Sequence, residues 1–275
     1  MATSNFDSLP QEVVDEILQF LHDDKTSLKA CSLTCRPMVQ GAQRGLFSAL
    51  SVGPEAWKQP EFPSMDLFLK MMTEIPHVAP YVKSLRLSCT IKTHDQHPAK
   101  ALPSFSHLTK FSFRLPWYNS NQMVEPDWNF PIQNLLTLPT LRHVEFMDVP
   151  IDFFPYNTAV KHLVIRFNNV REQAPQTNIH LQTQPPGRPT ILESLDIENP
   201  DPLAMGHDFV IRACQRLDIS RLTRLHFSIY WVEPYIGHDI YLDQLLELCG
   251  SSLQVLKFTS SRYSMFMVIK HFNIL

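Results

Sequence analysis

The stretch Val160-Lys161-His162-Leu163-Val164-Ile165-Arg166-Phe167-Asn168-Asn169-Val170 decides the architecture. Its first six residues read apolar-x-x-apolar-x-apolar. The fourth and sixth positions give the period of two that turns one side of a strand inward. The same six-residue pattern occurs seven times: Val82–Leu87, Leu108–Phe113, Leu141–Phe146, Val160–Ile165, Leu192–Ile197, Leu222–Phe227 and Leu253–Phe258. Successive starts lie 26, 33, 19, 32, 30 and 31 residues apart. None of the 22 prolines falls inside a window, as expected of strands that need every N–H for their ladders. Phe47–Val52 reads as an additional first strand.

Between the windows, apolar residues return to helical spacing. Met65, Phe68, Leu69, Met72 and Ile75 form one such group, Phe209, Val210, Ala213 and Leu217 a second, and Leu242, Leu245, Leu246 and Cys249 a third. Strand, return helix and strand at a near-constant period is the logic of a solenoid, in which each unit buries its apolar face on its neighbours. The pattern resembles a leucine-rich repeat, L-x-x-L-x-L-x-x-N-x-L. Only Val160–Val170 fits all of it, with Asn168 and Val170 in place; elsewhere the asparagine position holds Thr90, Pro116, Val149, Pro200, Tyr230 or Ser261. The expected fold is α/β: three N-terminal helices over residues 1–50, then an irregular leucine-rich-repeat-like solenoid of parallel strands and return helices over 51–275.

The helices are read from their starts. In Ser8-Leu9-Pro10-Gln11, Ser8 is expected to cap, Gln11 to reach back to it, and Pro10 to sit in the first turn. Val13, Val14, Ile17, Leu18, Phe20 and Leu21 then cover roughly 160° of the helix, against the ~100° that a surface helix needs. Asp23-Asp24 can cap a second helix with Leu28, Cys31, Ser32 and Cys35 inward, and Pro37 marks the start of a third running to about Leu46-Phe47. Some 45 residues have little interior, so the surplus apolar face must meet either the rest of the chain or another protein.

Leu9-Pro10-x-Glu12, Ile17-Leu18-x-x-Leu21, Leu28, Cys35-Arg36 and Leu46-Phe47 together resemble an F-box over about 40 residues. Pro37-Met38 departs from the tryptophan that many F-boxes carry after the Cys-Arg pair. The resemblance implies a three-helix module that docks on the Skp-type adaptor of a cullin–RING ubiquitin ligase. Leu9, Pro10, Glu12, Ile17, Leu18 and Leu21 would then bind the adaptor, with Leu28 and Cys35 supporting them.

Composition narrows the alternatives. The 7 glycines include no G-x-G-x-x-G and no G-x-x-x-x-G-K-[ST] run, which argues against backbone cradles for phosphate. A net charge of −3 argues against a nucleic-acid partner. Five cysteines in no framework spacing fit free thiols in a reducing compartment. The first 24 residues hold six acids and no Lys or Arg, unlike a secretory or mitochondrial leader. The longest apolar run found, Met265–Ile269, is far too short to span a bilayer. The expectation is a cytoplasmic or nuclear protein with no membrane partner. No H-E-x-x-H or G-x-S-x-G occurs, and Cys31 and Cys35 lack a second pair to complete a metal site. No catalytic residue, metal or cofactor is therefore expected, and an enzyme is not.

The polar strand positions remain. Ser84, Arg86, Lys110, Ser112, Arg114, His143, Glu145, His162, Arg166, Ser194, Asp196, Arg224, His226 and Lys257 would face the concave side and lean basic. Of these, Arg86, Arg114, His143, Arg166, Arg224, His226 and Lys257 are the candidate contacts to a protein substrate. Arg86, Arg114 and Arg166 suggest a stripe for an acidic or phosphorylated partner. Trp117, Tyr118, Trp128, Trp231 and Tyr235 are either interface anchors or packed beneath their own loops. The chain reads as the substrate receptor of such a ligase. Its rival is an interaction scaffold whose first helices only cap the solenoid. The apolar C-terminal segment is expected to fold back as a half-buried helix or to stand uncapped.

Overall fold

The computed structural model describes residues 9–53, 64–88, 102, 104–114, 129–149, 153, 154, 156, 158–166, 189–198, 216–229, 245–260 and 264–268. Three helices open the chain: α1 (Gln11–Gln19), α2 (Lys25–Ser32) and α3 (Arg36–Phe47). Then come β1 (Ala49–Val52), α4 (Met65–Glu74), a 3₁₀ turn (Pro76–Tyr81), β2 (Ser84–Ser88), β3 (Lys110–Arg114), α5 (Asn129–Leu136), β4 (His143–Met147) and β5 (His162–Arg166). The rest comprises β6 (Thr190–Ile191), β7 (Ser194–Glu198), β8 (Leu217–Asp218), β9 (Arg224–Ile229), β10 (Val255–Ser260) and β11 (Ser264–Val268).

The fold is mixed α/β around one nine-stranded sheet of order β1-β2-β3-β4-β5-β7-β9-β10-β11. Eight strands run parallel, and β11 closes the edge antiparallel to β10. All seven sequence windows supply strands, in one register: Ser84, Lys110, His143, His162, Ser194, Arg224 and Val255 are successive partners, each the third residue of its window. β1 joins as an eighth copy, Ala49 beside Ser84, so Phe47–Val52 repeats the pattern.

The strands start at the third position because the first two residues make the turn into the sheet. The first-position residues Val82, Leu108, Leu141, Val160, Leu192, Leu222 and Leu253 are all buried. The second-position carbonyl of each copy accepts two consecutive N–H groups from the next copy. Lys83 O takes Thr109 and Lys110, Thr109 O takes Arg142 and His143, and Arg142 O takes Lys161 and His162. Hydroxyls add staples at the same level: Thr109 Oγ1 donates to Lys83 O at 3.1 Å, and Thr223 Oγ1 to Glu193 O at 3.0 Å. Parallel pairing therefore does not rest on the strands alone; a polar seam runs along their entry.

Fourth- and sixth-position side chains form one face of the sheet and its core. Leu85, Phe111, Val144, Leu163, Leu195 and Leu225 lie on one level; Leu87, Phe113, Phe146, Ile165, Ile197 and Phe227 lie on the next. Phe68, Leu69 and Met72 of α4, with Ile132, Leu135 and Leu136 of α5, pack into the same core. Ser64 caps α4, accepting from Leu67 N.

The N-terminal helices keep a separate core of Val14, Leu18, Leu28, Met38 and Ala42. Glycine makes it possible. A Cβ on Gly41 would stand 2.6 Å from Leu18 Cδ1, and one on Gly45 would stand 2.8 Å from Leu28 Cδ1, so α3 approaches both other helices over its glycines. Asp24 caps α2 by accepting from Thr26 N and Ser27 N, both at 3.1 Å; the Ser27 hydroxyl also donates to it, and that bond first, then the backbone ones, holds its carboxyl below the usual range. α1 differs from expectation at its start. It begins at Gln11 after Pro10, whose carbonyl accepts from Val13 and Val14 N–H, while Gln11 Nε2 donates forward to Asp15 Oδ1 and Pro37 O. Ser8 lies outside the described residues.

The module is tied to the sheet through α3, which packs on the 3₁₀ turn and runs through Ser48 into β1. Arg44 pairs with Asp15 at 2.9 Å and stands over the Tyr81 ring at 5.9 Å. The boundary expected at residue 50 therefore falls inside β1; the change of core lies just before it. Two further expectations are corrected. Leu217 belongs to β8, paired in parallel with β6, rather than to a helix. The start of the C-terminal segment returns as the edge strand β11, because the polar groups of β10 are better met by a strand than by a helix laid beside them; residues 269–275 lie outside the described residues.

Candidate functional site

Two surfaces carry the residues that sequence reading singled out. The first is α1. At 100° per residue its apolar side chains divide into two arcs, each about 60° wide. Val14 and Leu18, with Leu21 at the edge, turn onto α3, and Leu18 is only 3% exposed. Val13, Ile17 and Phe20 turn outward and are 40%, 42% and 84% exposed; Leu9, just before the helix, is exposed as well. A soluble helix usually buries its widest apolar arc. Here half of it stays in solvent, although α1 already has a core of its own.

The expected adaptor contacts therefore separate. Leu9, Pro10, Glu12 and Ile17 are exposed, and Leu18 is an interior residue. Leu21 and Cys35 are half-buried against the helical core and Leu28 is fully within it. Leu18 is buried because Gly41 lets α3 close directly over it. Val13 and Phe20 stand on the outer face with Ile17. The helical wheel already contained them, but it did not say which half of the arc lay inward.

The second surface is the polar face of the sheet, where third, fifth and seventh window positions line up in three rows. The fifth- and seventh-position rows are tied to each other. Arg166 on β5 meets Glu145 on β4 through Nη1, and Glu198 on β7 through Nε at 2.7 Å and Nη2 at 3.2 Å. Burial opposes the guanidinium charge, but Glu145, Glu198 and Asp196 together raise its pKa above the ordinary value. Beside this group, Asp196 Oδ1 stands 2.8 Å from His226 Nδ1, and His226 Nε2 stands 3.3 Å from Thr259 Oγ1. A carboxylate, an imidazole and a hydroxyl thus cross β7, β9 and β10.

The third-position row is different. Lys110 and Arg224 are exposed, and neither makes an ion pair among the described residues. Between them His143 and His162 stack face to face, with ring centroids 4.3 Å apart and planes 20° from parallel. Partial burial, then His162, then Lys110 hold the His143 pKa below its usual value.

The arginine stripe does not form. Arg86 is a fifth-position residue beside Ser112, whereas Arg114 and Arg166 are seventh-position residues with Met147 between them. Arg166 is spent on two carboxylates. Arg86 is exposed; Arg114 and Lys257 are half-buried, and Arg114 Nε is buried without a hydrogen-bond partner among the described residues. Glu198, one residue past its six-residue window, was missed from sequence because only basic residues were sought at that position. Trp117, Tyr118, Trp128, Trp231, Tyr235 and Asn168 lie outside the described residues.

Among the described residues, no cluster of three or more His, Cys, Asp and Glu is arranged to hold a metal, and no helix is long and apolar enough to cross a membrane. Comparison with protein-family models finds no match, and comparison with curated proteins finds none.

Proposed function

We propose that this chain is the substrate receptor of an SCF-type cullin–RING ubiquitin ligase. Its N-terminal helices act as an F-box on a Skp-type adaptor, and an irregular leucine-rich-repeat-like solenoid holds the target protein. The observation that carries the reading is the outward apolar line Val13, Ile17 and Phe20, on a helix whose core needs are already met by Val14, Leu18 and α3. Such a surface costs solubility unless a partner covers it. The Leu-Pro-x-Glu and Cys-Arg resemblance names the kind of partner. The receptor performs no bond chemistry. Holding a target near a ubiquitin-loaded partner raises its effective concentration, and that is its contribution to the rate.

The rival reading, helices that merely cap the sheet, draws on the packing of α3 against the 3₁₀ turn and on Arg44 over Tyr81. Capping uses α3 and leaves the outer side of α1 unexplained, so the two roles are compatible and the adaptor reading accounts for more. Co-purification of the full chain with a Skp-type adaptor tests it. Val13→Asp with Ile17→Asp, both on exposed positions, should abolish capture while the chain keeps its thermal midpoint. Undiminished capture by that folded variant would sink the docking model.

A further inference from the structure

We infer that the third-position row of the sheet, anchored by Lys110 and Arg224, binds an extended acidic segment of a partner protein through its carboxylates. The inference rests on reading the polar face as the target-holding part of a receptor, and it names the chemistry of what is held.

The charge pattern of that face carries it. On β2–β5, β7, β9 and β10, the third, fifth and seventh window positions hold six cations, namely Arg86, Lys110, Arg114, Arg166, Arg224 and Lys257. Against them stand three carboxylates, Glu145, Asp196 and Glu198. The face is therefore positive on a chain whose net charge is −3. Two of the three carboxylates are also consumed within it, Glu145 and Glu198 by Arg166, while Asp196 lies half-buried beside the His226 ring. What the described strands present to an incoming partner is cationic, with no exposed carboxylate to repel an acidic one.

The exposure of that charge is also ordered. Two of the three exposed cations, Lys110 and Arg224, stand at the third position, where the row Ser84, Lys110, His143, His162, Ser194, Arg224 runs across the strands; the third, Arg86, is at the fifth. Ser88, Ser112, Glu145 and Ser228, at the fifth and seventh positions, are buried. Lys110 and Arg224 stand four strand steps apart, about 19 Å at ~4.8 Å per step. An extended segment covers that span in about six residues. The stacked His143 and His162 rings occupy the middle, offering ring nitrogens as hydrogen-bond donors to a chain held at both ends. Such a row selects by charge complementarity, which sets partner choice and encounter rate more than raw affinity.

The experiment is fluorescence anisotropy on the full-length chain, with a labelled polyglutamate peptide of about ten residues and its polyglutamine counterpart. The glutamate peptide should bind, weaken as salt is added, and be replaced by no binding for glutamine. Lys110→Glu with Arg224→Glu should lower affinity by about tenfold or more. Lys25→Glu with Lys29→Glu changes net charge equally on α2 and should cost no more than about twofold. Equal losses in the two double variants would reduce the effect to overall charge and overturn the inference. So would failure of the wild-type chain to bind the glutamate peptide. A phosphoserine peptide forms a third arm: binding to it alone would assign the row to phosphate and overturn the carboxylate claim. Lys110→Gln with Arg224→Gln guards against misfolding and should lose affinity in the same direction. Adaptor capture measured on the same preparations separates the two readings. Peptide failure with capture intact sinks this inference alone, and capture failure with peptide binding intact sinks the adaptor reading alone.

Discussion

Arg166 and Glu198 face each other in register on adjacent parallel strands and meet through two contacts, Nε to Oε2 at 2.7 Å and Nη2 to Oε1 at 3.2 Å. The same guanidinium reaches back to Glu145, whose side chain is only 9% exposed. Three strands are thus joined by one cation at their outgoing ends, where the hydroxyl staples of the incoming ends are absent.

Arg166→Met should therefore destabilise the sheet mainly by stranding Glu145. Removing one partner of a fully buried pair costs roughly 3–5 kcal/mol; Arg166 keeps about a third of its side chain in solvent, so a loss of about 2 kcal/mol is expected. Adding Glu145→Gln should recover part of it, because the amide leaves no uncompensated charge. Denaturant unfolding of the single and double variants measures this. A double variant that is less stable than Arg166→Met would show that Glu145 does not depend on Arg166.

The two sides of α1 should respond oppositely to truncation. Leu18→Ala empties a site that α3 closes over Gly41 and should cost about 2–5 kcal/mol. Phe20→Ala removes a ring that stands in solvent and should leave stability within about 0.5 kcal/mol while it weakens adaptor capture. Thermal denaturation and capture assays on both variants read the contrast. Equal destabilisation by the two would mean that Phe20 is covered within the chain.

Much of the sheet was legible because its signal repeats. One apolar-x-x-apolar-x-apolar window is weak evidence, but seven in which Pro never intrudes leave few alternatives to in-register strands, and Phe47–Val52 fell into the same register. β11 was not legible, since an edge strand paired on one side carries no copy of the window and its apolar run fits a helix as well. At α1 the 160° arc was visible, but the choice of inner half was not, because Gly41 on another helix makes it. The polar face failed differently. Alternation assigns a side chain to a face, not to a row or a partner. Arg166 looked available until Glu198, one residue beyond its window, came to lie beside it.

The stacked imidazoles make a titration prediction. Partial burial, the neighbouring His162 and Lys110 all disfavour the charged form of His143, while Glu145 on its own strand is occupied by Arg166. In an NMR titration His143 should protonate below the ordinary value near 6.5. His162→Ala should raise it by opening the ring to water and removing a like charge, and Lys110→Gln should raise it less. The sign for stability follows. The unfolded chain takes up this proton first, so stability falls as pH drops from the unfolded value to the folded one, and the loss is constant below that. A His143 pKa unmoved by His162→Ala would break the link between stacking and titration.

Gly53 ends β1 with φ at 104°, and a Cβ placed there would stand 1.8 Å from Ser88 O. No side chain can yield here, because the obstacle is the backbone of β2. Gly53→Ala must therefore shift β1 against β2 as well as strain its own backbone, and a cost above about 1 kcal/mol is expected. The damage should be local. Lys83 and Ser84 N–H both donate to Ser48 O at 2.9 Å across this junction, whereas Thr109 and Lys110 N–H donate to Lys83 O at the next. Hydrogen exchange on the variant should accelerate at Lys83 and Ser84 and stay slow at Thr109 and Lys110. Because β1 follows α3 directly, the same shift should loosen the contact of Arg44 with Tyr81. Acceleration spread evenly over both junctions would mean that β1 is not a separable end of the sheet, and that the N-terminal helices are held to it by more than α3.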